Sequence, residues 1–528
     1  MKPLTISELT IEQKIGQLLM ICSSSYKSGR DEIFQMLREK RLGGVQVPHT
    51  IEGGVREEID RVNEAAGYPV LIANDMEGGC PGGEHRIPSM LALGMTGDEE
   101  LAYQVGAVTA IEAKRMGYNT VWGPVVDLLD GNAMFRVTRC LGEDPIFVGR
   151  MAAAMLRGFH DNGMVTTAKH WPAPTDMRED GHMFAVSSSF SEKELIEKTF
   201  APYQYIMEQG QLTGIMTTHT YCTAVDENFP GTVSEKLVSI PRKQGFDGII
   251  MTDSLGMTGL LKKFGKENCA GLAVRAGHDM LLIDGMSPEE AFGYLMKSYE
   301  EGLFTEDRLN EAVARVLAAQ QRTLMPATAS VVSDYQKECF ARIAREGMGV
   351  IVDPSSALAL DPSKKKVFVV LVENLYHDQE GNVCESMVGG GVGIKEFFAI
   401  KEKILARYPD SKVVLMDRLP THSSIYRACK FATEAEEVVF VTNAFLKAYG
   451  GSEDLTDHVI NCMRAVGDKL AAVIHLGNPF AAERMPHTPR LILSTGARCL
   501  DETVDNALAI LSGEWRPKGE LPIKLNLK

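Results

Sequence analysis

Apolar residues in this chain come in short unbroken runs separated by longer amphipathic stretches. The runs are QLLMIC (17–22), GGVQV (43–47), PVLIA (69–73), NTVWGPVV (119–126), GMVTTA (163–168), TGIMTT (213–218), GIIMT (248–252) and DMLLI (279–283). They are apolar along their length rather than alternating, so each predicts a strand covered on both faces, as in a parallel sheet. Helical patterns lie between them, such as DEELAYQVGAVTAIEAKRMG (98–117), which closes on a glycine suited to a helix C-terminus, and SEKELIEKTFAPYQYIMEQG (191–210). Eight such strands before residue ~300 predict an α/β fold that opens with a (β/α)8 barrel. Near Met325 the pattern lapses into MPATASVVS, and a second series follows: KVFVVLV (366–372), KVVLM (412–416), EVVFVTN (437–443), AAVIHLG (471–477) and RLILS (490–494). The reading is a barrel domain over 1–325, a linker over 326–335, and an open parallel-sheet α/β sandwich domain over 336–528.

Composition narrows the classes. At 528 residues the chain is too long for one ordinary core. Its 45% hydrophobic and 24% charged residues are those of a soluble globular protein, and a net charge of −15 argues against nucleic acid as a partner. No apolar run is long enough to span a membrane, and MKPLTISELTIEQKIGQLLMICSSS lacks the pattern of a signal peptide, so a cytoplasmic protein is expected. The ten cysteines are scattered without CxxC spacing, which predicts free thiols and no metal site.

Candidate chemistry appears where the first series of strands ends. Asp75 follows PVLIAN, Asp127 follows NTVWGPVV, Lys169-His170 follow GMVTTA, His219 follows TGIMTT, Asp253 follows GIIMT and Asp284 follows DMLLI. In a barrel all these points meet at the C-terminal rim, where barrel enzymes keep their chemistry. The stretch KHWPAPTDMREDGH (169–182) adds Asp180 and His182 two residues apart. Each residue also has a plain structural reading. Asp127 could cap a turn, Asp253 the following helix, and Asp284 the start of the next one. His219 could be a hydrogen-bonded core histidine, and Asp180 with His182 an ion pair pinning a loop. The glycines of MVGGGVG (387–393) are like a phosphate loop but lack its full spacing.

The assembled motifs resemble glycoside hydrolase family 3, and within it the bacterial β-N-acetylglucosaminidase branch. That branch carries K-H-[FI]-P-G-[HL]-G-x-x-x-x-D-[ST]-H, and 169–182 is similar to it in length and at both ends. NDMEGG (74–79), GPVVDLL (123–129), TRCLGEDP (138–145), GFDGIIMTDSLGM (245–257) and AGHDMLL (276–282) resemble further family motifs in the family's order. VIHLGNPF and GELPI near the end resemble its second domain. The resemblance implies a retaining exo-β-glycosidase acting on a small glycoside or oligosaccharide, without metal or organic cofactor. It implies Asp253 as nucleophile, forming a covalent glycosyl-aspartate, and His182 as acid and then base, oriented by Asp180. Asp75, Arg139, Lys169, His170 and His219 would bind sugar hydroxyls.

The chain departs from the family pattern around the sugar pocket. The family's Pro-Gly-His-Gly is Pro172-Ala173-Pro174-Thr175, and Ala and Pro remove the backbone freedom of glycine, predicting a stiffer loop. CPGGEHRIPS (80–89) and LLDGNAMFRVT (128–138) replace the usual arginine-rich and Asn-Pro segments. Other readings therefore stand beside the first. One is a β-glucosidase-type hydrolase drawing its acid/base from the second domain, with Glu385 as candidate. A second is a phosphorolytic variant, since a neutral histidine repels phosphate less than a carboxylate does. A third is a sugar-binding protein without turnover.

Overall fold

The computed structural model describes residues 1–129, 136–177, 179–372, 376–377, 383–384, 392–418, 420, 422–444, 455–496 and 499–527. The chain forms two compact units. One comprises Met1–His85, Glu99–Ala133 and Gly142–Lys337, the other Arg86–Asp98, Met134–Leu141 and Glu338–Lys528. The second unit thus draws two segments from the first half of the chain, which no single cut conveys.

In the first unit all eight apolar runs are strands: β1 (Leu19–Ile21), β2 (Gly44–Gln46), β3 (Leu71–Asp75), β4 (Thr120–Val125), β5 (Val165–Trp171), β6 (Gly214–Thr217), β7 (Ile249–Met251) and β8 (Leu281–Ile283). Every pairing is parallel, in the order β8-β1-β2-β3-β4-β5-β6-β7, and a parallel bridge between Met251 and Met280 brings the edges together. The helices between them start and stop on local signals. Asp144 caps Pro145–Asp161 by accepting the Phe147 N–H, and Ser287 with Glu290 forms a capping box on Pro288–Glu300. The helix Glu99–Met116 opens on two glutamates and closes on Lys114 and Arg115, matching its dipole. It lies close against Pro145–Asp161, because a Cβ on Gly106 would fall 2.0 Å from the Met155 carbonyl oxygen and one on Gly158 would fall 2.2 Å from that of Tyr103.

Strand β5 runs three residues past its apolar core. Lys169 and His170 lie on the strand rather than after it: Lys169 is in register with Val125 of β4 and Met216 of β6, and His170 sits at the register shift between Lys169 and Trp171. Trp171, Pro172, Ala173, Pro174, Met177 and Asp180 are buried, and the Trp171 indole donates to the Leu237 carbonyl at 3.0 Å.

The second unit holds β9 (Met348–Val352), β10 (Lys366–Val372), β11 (Lys412–Asp417), β12 (Glu437–Ala444), β13 (Leu470–Gly477) and β14 (Arg490–Ser494), in the order β9-β14-β13-β12-β10-β11. The five runs read from the sequence are mutually parallel, but β9 pairs antiparallel with β14, so the sheet is mixed rather than all parallel. Its faces feed separate cores. Val367, Val369 and Leu371 join one, Phe368, Val370 and Val372 the other, which is why β10 is apolar throughout. Glu385 and residues 387–391 lie outside the described residues.

Candidate active site

The C-terminal ends of the barrel strands gather charge where burial requires every charge to be paired. Lys169 is the clearest case. Only 2% of its side chain is exposed, and Nζ donates to Asp75 Oδ1 at 2.5 Å and lies 2.8 Å from Glu77 Oε1. An ammonium held this far from water is stable only because two carboxylates share it. Asp75 keeps half its side chain exposed and so presents its remaining oxygen capacity outward.

His170 is gripped by Asp127 in two ways. Its backbone N–H donates to Asp127 Oδ1 at 2.6 Å, and Nδ1 lies 2.9 Å from Oδ2. The Asp127 side chain is 1% exposed, so it is a fixed acceptor and not a solvated cap. With Nδ1–H committed, Nε2 is the free edge of the ring, and it faces Asp253 Oδ2 at 4.0 Å.

Asp253 follows β7. Its backbone N–H donates to the Thr217 carbonyl, and Oδ1 accepts the Ser254 N–H at 2.7 Å. Burial alone would raise this carboxyl. His170 first, then His219, the Ser254 N–H and Lys169, together outweigh burial and hold it below the usual carboxylate range. The group is therefore an ionised carboxylate with one oxygen tied and one free.

His219 lies behind it. Nε2 donates to the Ser254 carbonyl at 2.8 Å, and Nδ1 is 2.5 Å from the Thr232 hydroxyl. Burial pushes its pKa below the ordinary histidine value, against the pull of Asp253 and the Ser254 carbonyl, and the charges of His182 and His170 also act on it.

His182 sits on the segment after β5. Nδ1 lies 2.6 Å from Asp180 Oδ1, which also accepts the His182 N–H at 3.0 Å. Asp180 is buried, while about a quarter of the His182 side chain is exposed. The carboxylate fixes Nδ1 as the donor of the ring. The segment is tied down further along, where Ser187–Ser188 pairs in parallel with Tyr221–Cys222.

The barrel unit thus gathers Asp75, Lys169, His170, His219 and Asp253 at one rim, with Asp180 and His182 on the segment leaving β5. Arg139 belongs to Met134–Leu141, which groups with the second unit, where its N–H donates to the Arg136 carbonyl. Sequence reasoning assigned no role to Glu77, although it sits two residues after Asp75 in MEGG. It gave Asp127 no role in the site beyond a strand-end acid or turn cap within the GPVVDLL motif. Asp284 starts no helix: it accepts the Ser254 hydroxyl at 3.1 Å and that of Ser24. Among the described residues no group of histidine, cysteine and acidic side chains could hold a metal ion, and no helix is long and apolar enough to cross a membrane.

The model of the glycosyl hydrolase family 3 N-terminal domain matches residues 10–319. A β-N-acetylglucosaminidase/β-glucosidase of Cellulomonas fimi is 27% identical over 362 residues, which are 64% of this chain and 64% of that protein, so the match spans just under two thirds of that relative. A β-hexosaminidase of Tolumonas auensis is 32% identical over 258 residues, covering 47% of this chain and 77% of that one. A glycoside hydrolase family 3 β-N-acetylglucosaminidase from Paenibacillus sp. FPU-7 shares the fold, with a TM-score of 0.80 at 23% identity over 98% of this chain and 100% of that one. With the family model matching the barrel from residue 10 to residue 319, the chain belongs to glycosyl hydrolase family 3.

Proposed function

We propose that the chain is a retaining exo-β-glycosidase that removes a terminal β-linked N-acetylglucosamine. The observation that carries this reading is that the barrel unit holds both an ionised, half-tethered carboxylate at Asp253 and a histidine whose Nδ1 is held by Asp180. Oδ2 of Asp253 attacks the anomeric carbon and forms a glycosyl-aspartate, while His182 Nε2 gives its proton to the departing oxygen. A water then returns a proton to Nε2 and attacks the same carbon, releasing the sugar with its configuration retained. Both steps balance with one nucleophile and one proton carrier.

Asp75, Lys169 and His170 take the hydroxyls of the bound sugar in this reading. The Lys169 ammonium is pinned by Asp75 and Glu77, and His170 by Asp127, so these donors stand ready before the sugar arrives. The acetamido preference rests on the names of the relatives, one of which carries both N-acetylglucosaminidase and glucosidase activity in its name.

Release of p-nitrophenol from aryl β-N-acetylglucosaminide and aryl β-glucoside tests the reading, on wild type and on His182→Ala, with and without phosphate. The expected result is preference for the acetamido sugar in phosphate-free buffer, lost by about 10²–10⁴-fold in the variant, the range of general acid–base catalysis. Turnover of the glucoside with His182→Ala unharmed would move the acid to another residue. Turnover that requires phosphate would make the enzyme a phosphorylase, and binding of either sugar without turnover would make the chain a sugar-binding protein.

A further inference from the structure

We infer that Asp284 and His219, acting through Ser254, are the positioning residues that leave Oδ2 of Asp253 as the attacking oxygen; the inference rests on the reading of Asp253 as nucleophile. Ser254 follows Asp253, and each of its polar atoms is committed. Its N–H donates to Asp253 Oδ1 at 2.7 Å, and its carbonyl accepts His219 Nε2–H at 2.8 Å. Its hydroxyl donates to Asp284 Oδ2 at 3.1 Å and accepts the Gly256 N–H at 3.2 Å. The two supports are themselves held. His219 Nδ1 is engaged by Thr232, and Asp284 Oδ1 accepts the Ser24 hydroxyl.

The peptide that grips the nucleophile is therefore anchored from three strand ends. Ser24 lies just beyond β1, His219 just beyond β6 and Asp284 just beyond β8. The turn has no slack on the Asp284 side, because a Cβ on Gly256 would fall 2.9 Å from the Asp284 carbonyl oxygen. Rotation of the Asp253 carboxylate would break the Ser254 N–H contact, so Oδ1 stays tied and Oδ2, 4.0 Å from His170 Nε2, stays free. Both ring nitrogens of His219 already have protein partners. The hydroxyl contact expected of it from the sequence has no ring position left, and its work lies behind the nucleophile.

Ser254→Ala and Asp284→Asn test this with a 2,4-dinitrophenyl glycoside of the sugar that wild type turns over. Dinitrophenolate departs without protonation, so kcat/KM reports attack by Asp253 and not the acid. The expected result is a fall in kcat/KM of about tenfold to a hundredfold, the scale of a slightly misplaced reacting group. The inhibition constant of the product sugar should stay within about twofold in both variants, because the hydroxyl ligands are untouched. A disrupted fold would move both quantities together. Wild-type kcat/KM in both variants, or a loss matched by weaker product binding, would overturn the inference. Asp253→Asn run alongside separates the two layers. If it is inactive while the two variants match wild type, the positioning claim alone fails; if it keeps wild-type turnover, the nucleophile assignment itself fails.

Discussion

Asp127 makes two hydrogen bonds to one residue, and that pairing decides what the His170 ring can do. With the backbone N–H and Nδ1 both on Asp127, the ring can neither rotate nor swap tautomers, so Nε2 is always the edge turned toward Asp253. Asp127→Ala should free the ring and leave an N–H in the site without its acceptor. A loss of kcat/KM of about a hundredfold is expected, comparable to a 1 Å misplacement near the chemistry, measured on the aryl glycoside. Activity within twofold of wild type would show that His170 needs no orientation. At this scale the sequence was only partly legible. The acids and histidines stand out because they end apolar strands, and Asp75, Lys169, His170 and Asp253 do meet at the rim. Asp284 stands out as a strand-end acid but its hold on Ser254 does not, and Ser254 and Thr232 are inconspicuous, because serines and threonines are common after strands. Their partners come from elsewhere in the barrel: Asp284 lies 30 residues from Ser254 and 260 from Ser24 in sequence.

At the scale of elements, the barrel strands were readable because each is buried on both faces and so carries an unbroken apolar run. Strand β9 was not. It is five residues long, its last three residues are only half-buried, and it follows directly on the helix Asp334–Glu346. The extension of β5 through Lys169 and His170 was also hidden, because two charged residue types read as the end of a buried strand. Only the partners Asp75, Glu77 and Asp127 make the longer ladder possible. His278 packs fully buried between helix and strand, with Nδ1 on the Ala273 carbonyl and Nε2 on the Thr217 hydroxyl, and burial pushes its pKa down to about 3. The unfolded chain binds a proton at this histidine below about pH 6.5, where the folded chain does not. Stability is therefore complete above that pH and falls as the pH drops toward 3, by about 2 kcal/mol at pH 5 from this one group. His278→Gln keeps a donor and an acceptor without the titration, so its urea midpoint should fall less than that of wild type between pH 7 and pH 5. An equal fall in both proteins would remove His278 from the acid response.

At the scale of the whole molecule, family membership rests on the barrel, which the family model spans, and the chemistry proposed for it rests on one carboxylate. The departures at Ala173, Pro174 and Thr175 do not leave a loose loop. Ala173 and Pro174 are buried, and the segment still delivers a hydrogen-bonded Asp180–His182 pair. The stiffening foreseen from the loss of glycine is thus compatible with a formed Asp180–His182 hydrogen bond. The measurement that tests the account most directly is to trap the intermediate. The enzyme is incubated with 2-acetamido-2-deoxy-5-fluoro-β-glucopyranosyl fluoride, which keeps the acetamido group, whose ring fluorine slows both steps and whose fluoride leaving group restores only the capture, and is then digested for mass spectrometry. The account predicts one added fluoroglycosyl group per chain, on the peptide containing Asp253 and absent from Asp253→Asn. Stoichiometric labelling of any other residue, or turnover of the natural-type glycoside with inversion at the anomeric carbon, would contradict it.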